Sequence, residues 1–208
     1  NMPTPELFIA RALGETEQIT FGTGVVLLHL HNPVQVAHRI AMLDHLAKGR
    51  FMFGIGSGGT PSDAEMLDID GDPAAMRDRM KEGIDLILRL WEEGPFDHRG
   101  RFFTVGKPQE RHEMEMAFHM RPYQLPHPPI AVAGGSVRSS TLELAGERGW
   151  IPLSASLLHG SQLEANWQSI EAGAERSGRT PSRAEWRLGK QVYVGETTQK
   201  ARKEALAG

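Results

Sequence analysis

Two histidines one residue apart, His29 and His31, close an apolar run reading Leu27-Leu28-His29-Leu30-His31-Asn32-Pro33. On a strand, side chains at i and i+2 share a face, so two imidazoles could reach one metal ion or line the mouth of an organic-ligand pocket. A metal-dependent barrel hydrolase would add further histidines and an aspartate from later strand ends. Those ends carry Gly, Ser and Ala instead, and His159 stands alone. The pocket reading is preferred for His29 and His31, and no metal ligand is assigned.

A second chemistry lies in Val132-Ala133-Gly134-Gly135-Ser136-Val137-Arg138-Ser139. Glycines at a strand end, followed by hydroxyls at a helix start, leave backbone N–H groups free and aim a positive dipole at an anion, typically a phosphate. The plainer alternative is N-capping by Ser136 or Ser139. Phe53-Gly54-Ile55-Gly56-Ser57-Gly58-Gly59 lacks the G-x-G-x-x-G spacing and the lysine of a Walker loop. It reads as a clearing where backbone lies against a flat ring, or as a tight turn. Gly56-Ser57-Gly58 is not spaced as a nucleophile elbow, and no Ser-His-Asp arrangement is legible. Asp68-Ile69-Asp70-Gly71-Asp72 resembles the opening of a calcium loop, but Pro73 stands where glycine is required, leaving a turn and an N-cap at Asp72.

The elements that position these residues follow from periodicity. Thr4-Pro5-Glu6 opens a helix that Gly14 ends. Ile19 to Leu30 is a near-continuous apolar run of the kind expected for a strand covered on both faces. Asn32-Pro33 starts a helix through about Lys48, and Arg50 to Ile55 is a strand. Asp72-Pro73 starts the clearest helix, with Met76, Met80, Ile84, Ile87, Leu88 and Trp91 at helical spacing until Gly94-Pro95. Residues 96–128 form an irregular insertion, with a hairpin around His98 to Thr104. Strands at Pro129 to Ala133, Trp150 to Ser154 and Trp186 to Val194 alternate with helices at Ser139 to Glu147, about Ser161 to Arg176, and from Thr198.

Five strands alternating with helices predict an α/β fold with a parallel sheet, either doubly wound or a (β/α)8 TIM-type barrel. Such a barrel needs about 250 residues. The chain starts and stops abruptly in helical patterns, so an incomplete barrel is expected, without its N-terminal and C-terminal elements. Ligands then sit at the carboxyl ends of the strands, at Leu28 to Asn32, Gly54 to Thr60, Ala133 to Ser139 and Pro152 to Ser156.

Composition narrows the partners. The 208 residues are 39% apolar and 24% charged, enough for one domain over 1–208 with a sizeable core. With a net charge of -3 and no basic run interleaved with aromatics, nucleic acid is not an expected partner. No cysteine is present, which excludes disulfides, thiolate metal sites and a cysteine nucleophile. Apolar runs such as Gly24 to Leu30 fall far short of the roughly 20 residues that span a bilayer, so a soluble, cytoplasmic protein is expected.

Several segments together resemble the bacterial luciferase-like flavin monooxygenases, and within them the limonene monooxygenase-like members. These are Phe21-Gly22-Thr23-Gly24-Val25-Val26, Asn32-Pro33-Val34, Leu43-Asp44-His45-Leu46 to Gly49-Arg50-Phe51, Phe53-Gly54-Ile55-Gly56, Arg121-Pro122-Tyr123-Gln124 and Glu147-Arg148-Gly149. The resemblance implies a barrel that holds reduced FMN and uses dioxygen to oxidise a small apolar organic substrate, with reduced flavin supplied by a reductase. It also implies a desolvated pocket closed by loops, for which Gly58 to Gly71 and residues 96–128 are available. By position, a non-proline cis peptide falls at Gly24-Val25 against the flavin ring, and Gly134, Gly135, Ser136 and Ser139 fall on the flavin phosphate. Luciferases carry a cysteine and an arginine after the glycine-ended strand, where this chain has Gly56 and Ser57; Arg138 could replace the charge. That departure keeps deazaflavin-dependent oxidoreductases on the same barrel in contention. The family's catalytic histidine would lie before Asn1, which leaves the catalytic residue unassigned and admits a non-catalytic flavin-binding protein. Family members commonly pair through barrel helices, so a homodimer is expected, with the helix from Pro33 as candidate interface.

Overall fold

Helix α1 (Pro5–Leu13) begins at proline in the computed structural model, which describes residues 4–108, 120–155, 159–190 and 193–207. Thr4 is left-handed (φ 57°) and its hydroxyl makes no cap bond, so the proline alone sets the first turn. The long strand expected over 19–30 is instead three pieces: β1 (Phe21–Gly22), β2 (Val26–Leu27) and a 3-10 turn over Leu28–Leu30. Both strands pair in parallel with β3 (Phe51–Gly56), in register Phe21 with Phe51 and Val26 with Ile55. Between them the Thr23 hydroxyl replaces the ladder, accepting from Gly54 N–H (2.9 Å) and donating to Gly54 C=O (2.8 Å). Any side chain at Gly54 would collide with the Thr23 carbonyl. The Gly24-Val25 peptide that follows is cis. Apolar content marked this stretch as buried, but the tertiary bond to Gly54 decides where the strand breaks.

Helix α2 (Pro33–Ala47) is capped by Asn32, whose side chain accepts from the N–H groups of Val34 and Gln35, and it stops at left-handed Lys48. Its Val36, Ala37, Ile40 and Ala47 are buried without residual exposure against β3. After the short α3 (Pro61–Glu65), Asp72 caps α4 (Pro73–Glu93) by accepting from Ala74 and Ala75 N–H. The expected apolar stripe is largely the buried one, with Met76, Met80, Ile84, Ile87 and Trp91 inside and Leu88 partly buried. Trp91 Nε1 donates to the Ala37 carbonyl (3.1 Å), tying α4 to α2.

The insertion contains an antiparallel hairpin of β4 (His98–Arg99) and β5 (Thr104–Val105), clamped where Glu82 accepts from Phe102 and Phe103 N–H. Residues 109–119 of that insertion lie outside the described residues. It returns through Gln124, which donates to the buried Asp44 carboxylate through its backbone N–H (2.8 Å) and its Nε2 (2.6 Å). The same Nε2 donates to the Phe51 carbonyl (2.9 Å), so two of the quoted segments meet at the foot of β3.

The remaining elements are β6 (Ile130–Gly134), α5 (Ser140–Arg148), β7 (Ile151–Ser154), α6 (Gly160–Arg176), β8 (Arg187–Leu188) and α7 (Thr198–Ala207). The strand expected over Trp186 to Val194 is limited to Arg187–Leu188 among the described residues; Gln191 and Val192 fall outside them. All strands of the main sheet are parallel, in the order β1/β2, β3, β6, β7, β8. This is a half-barrel of (β/α) units, with the main core between the sheet and α2 and α4. No helix among the described residues is long and apolar enough to cross a membrane.

Candidate functional site

Parallel strands deliver their carboxyl ends to one edge of the sheet, and a cavity of about 800 Å³ lies there. One wall is Val25, Leu27 and the Gly56 to Gly59 loop; the other is Ala133 to Ser136 with Arg138 to Thr141; Glu143, Ala155 and Arg77 complete it. Of the residues expected from sequence, Val25, Gly56, Ser57, Gly134, Gly135, Ser136, Arg138 and Ser139 are brought onto this surface. Gly24 contributes the first half of the cis peptide next to Val25.

The glycines clear the space. A Cβ at Gly56 would stand 2.7 Å from Val25 Cγ2, so the bare strand end is what lets Val25 lie across it. A side chain at Gly134 would collide with Ser139 Oγ and Leu142, whereas Gly135 faces open space. Ser139 is the N-cap of α5: its buried hydroxyl accepts from Leu142 N–H (3.3 Å) and contacts Thr141 Oγ1 (2.9 Å). Thr141 Oγ1 in turn donates to the Ala133 carbonyl (2.7 Å). The Ser139 hydroxyl is thus committed to the protein, and what the helix start offers the cavity is the N–H groups of its first turn and its dipole. The exposed Ser136 bonds locally, its Oγ donating to the Arg138 carbonyl (2.9 Å).

Two guanidinium groups give this wall its charge. Arg138 belongs to the loop, and Arg77 reaches the cavity from the first turns of α4. Glu143 is also on the wall, but it is engaged by Arg176 (3.1 Å). A surface of helix-terminal N–H groups, two cations and glycine-cleared backbone suits a phosphate attached to a planar ring, and the cavity volume suits a ligand of that size.

The two histidines part company because the 3-10 turn replaces the strand. His29 is buried beneath the loop, with its ring Cε1 2.9 Å from where a Cβ on Gly58 would stand, and its Nδ1 has no hydrogen-bond partner. Burial chiefly, helped by the Arg79 and His31 charges, pushes its pKa down to about 4, so the ring is neutral at pH 7. His31 faces a second cavity of about 290 Å³ beside Glu6 and Arg39. Its pKa is lowered by burial and then by Arg39. The two cavities share Val25 and Leu27.

Sequence reasoning missed Arg77, which is half-buried beside an α4 stripe read only for its apolar positions. It also missed Asn166 of α6, whose polar side chain is fully buried behind the glycine loop. A usable signal was an asparagine, poor in helix interiors, in the middle of a helix and next to Trp167.

With this geometry in hand, likeness to known proteins takes on a structural meaning. The family model described as "Luciferase-like monooxygenase" matches residues 1–208. The chain is 37% identical over 211 residues to 4-hydroxyprotoasukamycin monooxygenase of Streptomyces nodosus subsp. asukaensis, covering 99% of this chain and 54% of that protein. It is 34% identical over 208 residues to limonene 1,2-monooxygenase of Rhodococcus erythropolis, covering 99% and 50%. Among solved structures, the oxygenating constituent of 3,6-diketocamphane monooxygenase of Pseudomonas putida, a type II Baeyer-Villiger monooxygenase in complex with FMN, superposes with a TM-score of 0.88 at 30% identity. That match covers 100% of this chain and 57% of the other. The chain therefore spans about half the length of the relatives it matches.

Proposed function

The chain belongs to the luciferase-like monooxygenase family, and from that premise we propose that it is the FMN-holding part of a flavin-dependent monooxygenase acting on a small apolar organic substrate. One observation carries the reading: glycine-cleared ends of adjacent parallel strands and the start of α5 meet on a single cavity. Gly134, Gly135, Ser136 and Arg138 form the phosphate end, with Arg77 as a second cation and Ser139 capping the helix whose start faces it. Gly24, Val25, Gly56 and Ser57 face the ring. Reduced FMN would supply the two electrons with which dioxygen is split, one oxygen atom going to the substrate and the other leaving as water.

The chain's own contribution is binding, orientation and exclusion of water. The α5 N–H groups and the two guanidinium groups neutralise the phosphate, and the flat backbone at Val25 and Gly56 leaves room for a ring face. We place the substrate toward the second cavity, across Val25 and Leu27, where Val26 and Leu30 are apolar and His31 is a polar handle. His29 supports the Gly58 backbone from beneath as a neutral ring. A single barrel unit over 1–208 with an insertion at 96–128, a separate reductase, pairing of two copies through α2 and a cytoplasmic setting belong to the same proposal. Exposed Met42 and Leu46 on α2 and the absence of cysteine support the last two.

Titration of the protein with reduced FMN and, separately, with reduced deazaflavin, while following oxygen uptake, tests the reading. Binding of FMN is expected. Preference for deazaflavin without oxygen uptake would move the chain to the dehydrogenase alternative, and binding of neither would remove the enzyme reading.

A further inference from the structure

The middle of the loop from β6 into α5 is held from behind by one buried side chain. Asn166 Nδ2 donates to the carbonyls of Ser136 (2.7 Å) and Val137 (3.1 Å), and the residue has no solvent exposure. Its orientation is dictated by two further groups. Trp186 Nε1 donates to Ser154 Oγ (3.0 Å), and Ser154 Oγ donates to Asn166 Oδ1 (2.8 Å). With Oδ1 so occupied, the amide must turn both N–H bonds to the loop; the flipped amide would set its oxygen against two carbonyl oxygens. In a trans peptide the C=O and N–H point in opposite directions, so fixing these carbonyls sends the N–H groups of Val137 and Arg138 away from α6. Ser136 and Arg138 line the main cavity. The same helix holds the far end of the loop, where Ser139 N–H donates to Ser169 Oγ (3.3 Å).

We infer that Asn166 is a positioning residue for anion recognition: by holding two carbonyls it sets the loop's N–H donors for a phosphate, with Ser154 and Trp186 fixing Asn166 in turn. The inference rests on the FMN reading above. It also separates positioning from general stabilisation, because FMN and riboflavin share the ring and differ in the phosphate. Only the phosphorylated ligand depends on the loop's donors.

The test compares FMN and riboflavin affinities of the full chain and its Asn166→Ala variant by quenching of flavin fluorescence, with inorganic phosphate as competitor. Wild type is expected to prefer FMN. Asn166→Ala should lose roughly tenfold in FMN affinity, the scale of one or two hydrogen bonds to a charged group, while riboflavin changes less than about twofold and phosphate ceases to compete. A variant that keeps the wild-type ratio overturns the inference and leaves the FMN reading standing. A wild-type chain that binds neither flavin, or binds both equally, overturns the FMN reading and the inference with it. Should Asn166→Ala fail to fold, Ser154→Ala and Trp186→Phe decide: each should weaken FMN alone, by roughly threefold, and an unchanged ratio in both overturns the inference.

Discussion

The Ala133 to Thr141 wall of the main cavity and the segment that follows its other wall are built on opposite plans. Along residues 133–141 bonds reach out to other elements: Asn166 to the carbonyls of Ser136 and Val137, Ser139 to Ser169, and Ala155 N–H to the Gly134 carbonyl (3.2 Å). Along residues 60–69 the backbone bonds close on their own segment, as with Asp63 to Thr60, Met66 to Ser62, and Leu67 and Ile69 to Ala64. Met66 and Leu67 there are exposed. Donors for a charged group act best when fixed before the ligand arrives, since ordering them afterwards subtracts from affinity. A rim that admits and covers a ligand has the opposite requirement.

The contrast breaks most severely at the α5–α6 contact behind the fixed wall. A Cβ at Gly173 would collide with the Glu143 backbone, and one at Gly146 with the Ile170 carbonyl, so neither helix can give way locally. Gly173→Ala should cost about 3 kcal/mol by chemical denaturation and weaken FMN binding with it.

Next comes His29, under the other wall. Its folded pKa of about 4 lies below the ordinary 6.5, so between these values the unfolded chain binds more protons. Stability is therefore level above about pH 6.5 and falls as pH drops toward 4, by on the order of 3 kcal/mol from this group. His31 and His38, also lowered by burial, act in the same direction. Urea midpoints at pH 7 and pH 4.5 should differ less in His29→Gln than in wild type.

Arg138→Ala and Arg77→Ala should each weaken FMN roughly tenfold and leave riboflavin nearly unchanged, with the loss shrinking as salt rises. Equal losses for both flavins would place the arginines at the ring end. Ser139→Ala removes the α5 cap and should lower stability by about 1 kcal/mol in a thermal melt. Gly59→Ala, with nothing near its Cβ, should change stability by less than about 0.5 kcal/mol. A large effect there would mean that the approach to residues 60–69 is as fixed as the Ala133 to Thr141 wall.

The sequence made the fixed wall partly legible and the reasons for its fixity hardly at all. Alternating strands and helices, the stripe of α4 and the glycines before Ser139 are local signals, and the parallel half-barrel and the cavity residues follow from them. The break of the Ile19 to Leu30 run does not, because it depends on a hydroxyl meeting Gly54 thirty-one positions on. That break is also why His29 and His31 face different spaces. Asn166 and Trp186 act on a loop and strand end that are remote in sequence, so an asparagine in the middle of a helix is the one local trace of that role.

At the other edge of the sheet, the Asp44–Gln124 clasp joins the end of α2, the returning insertion and the first residue of β3 into one foot. It stands a full strand away from Gly56, and none of its groups borders either cavity. The mouth that meets a ligand and the foot that anchors the sheet are thus separate parts, and a side chain exchanged at the mouth leaves the acid and the amide in place.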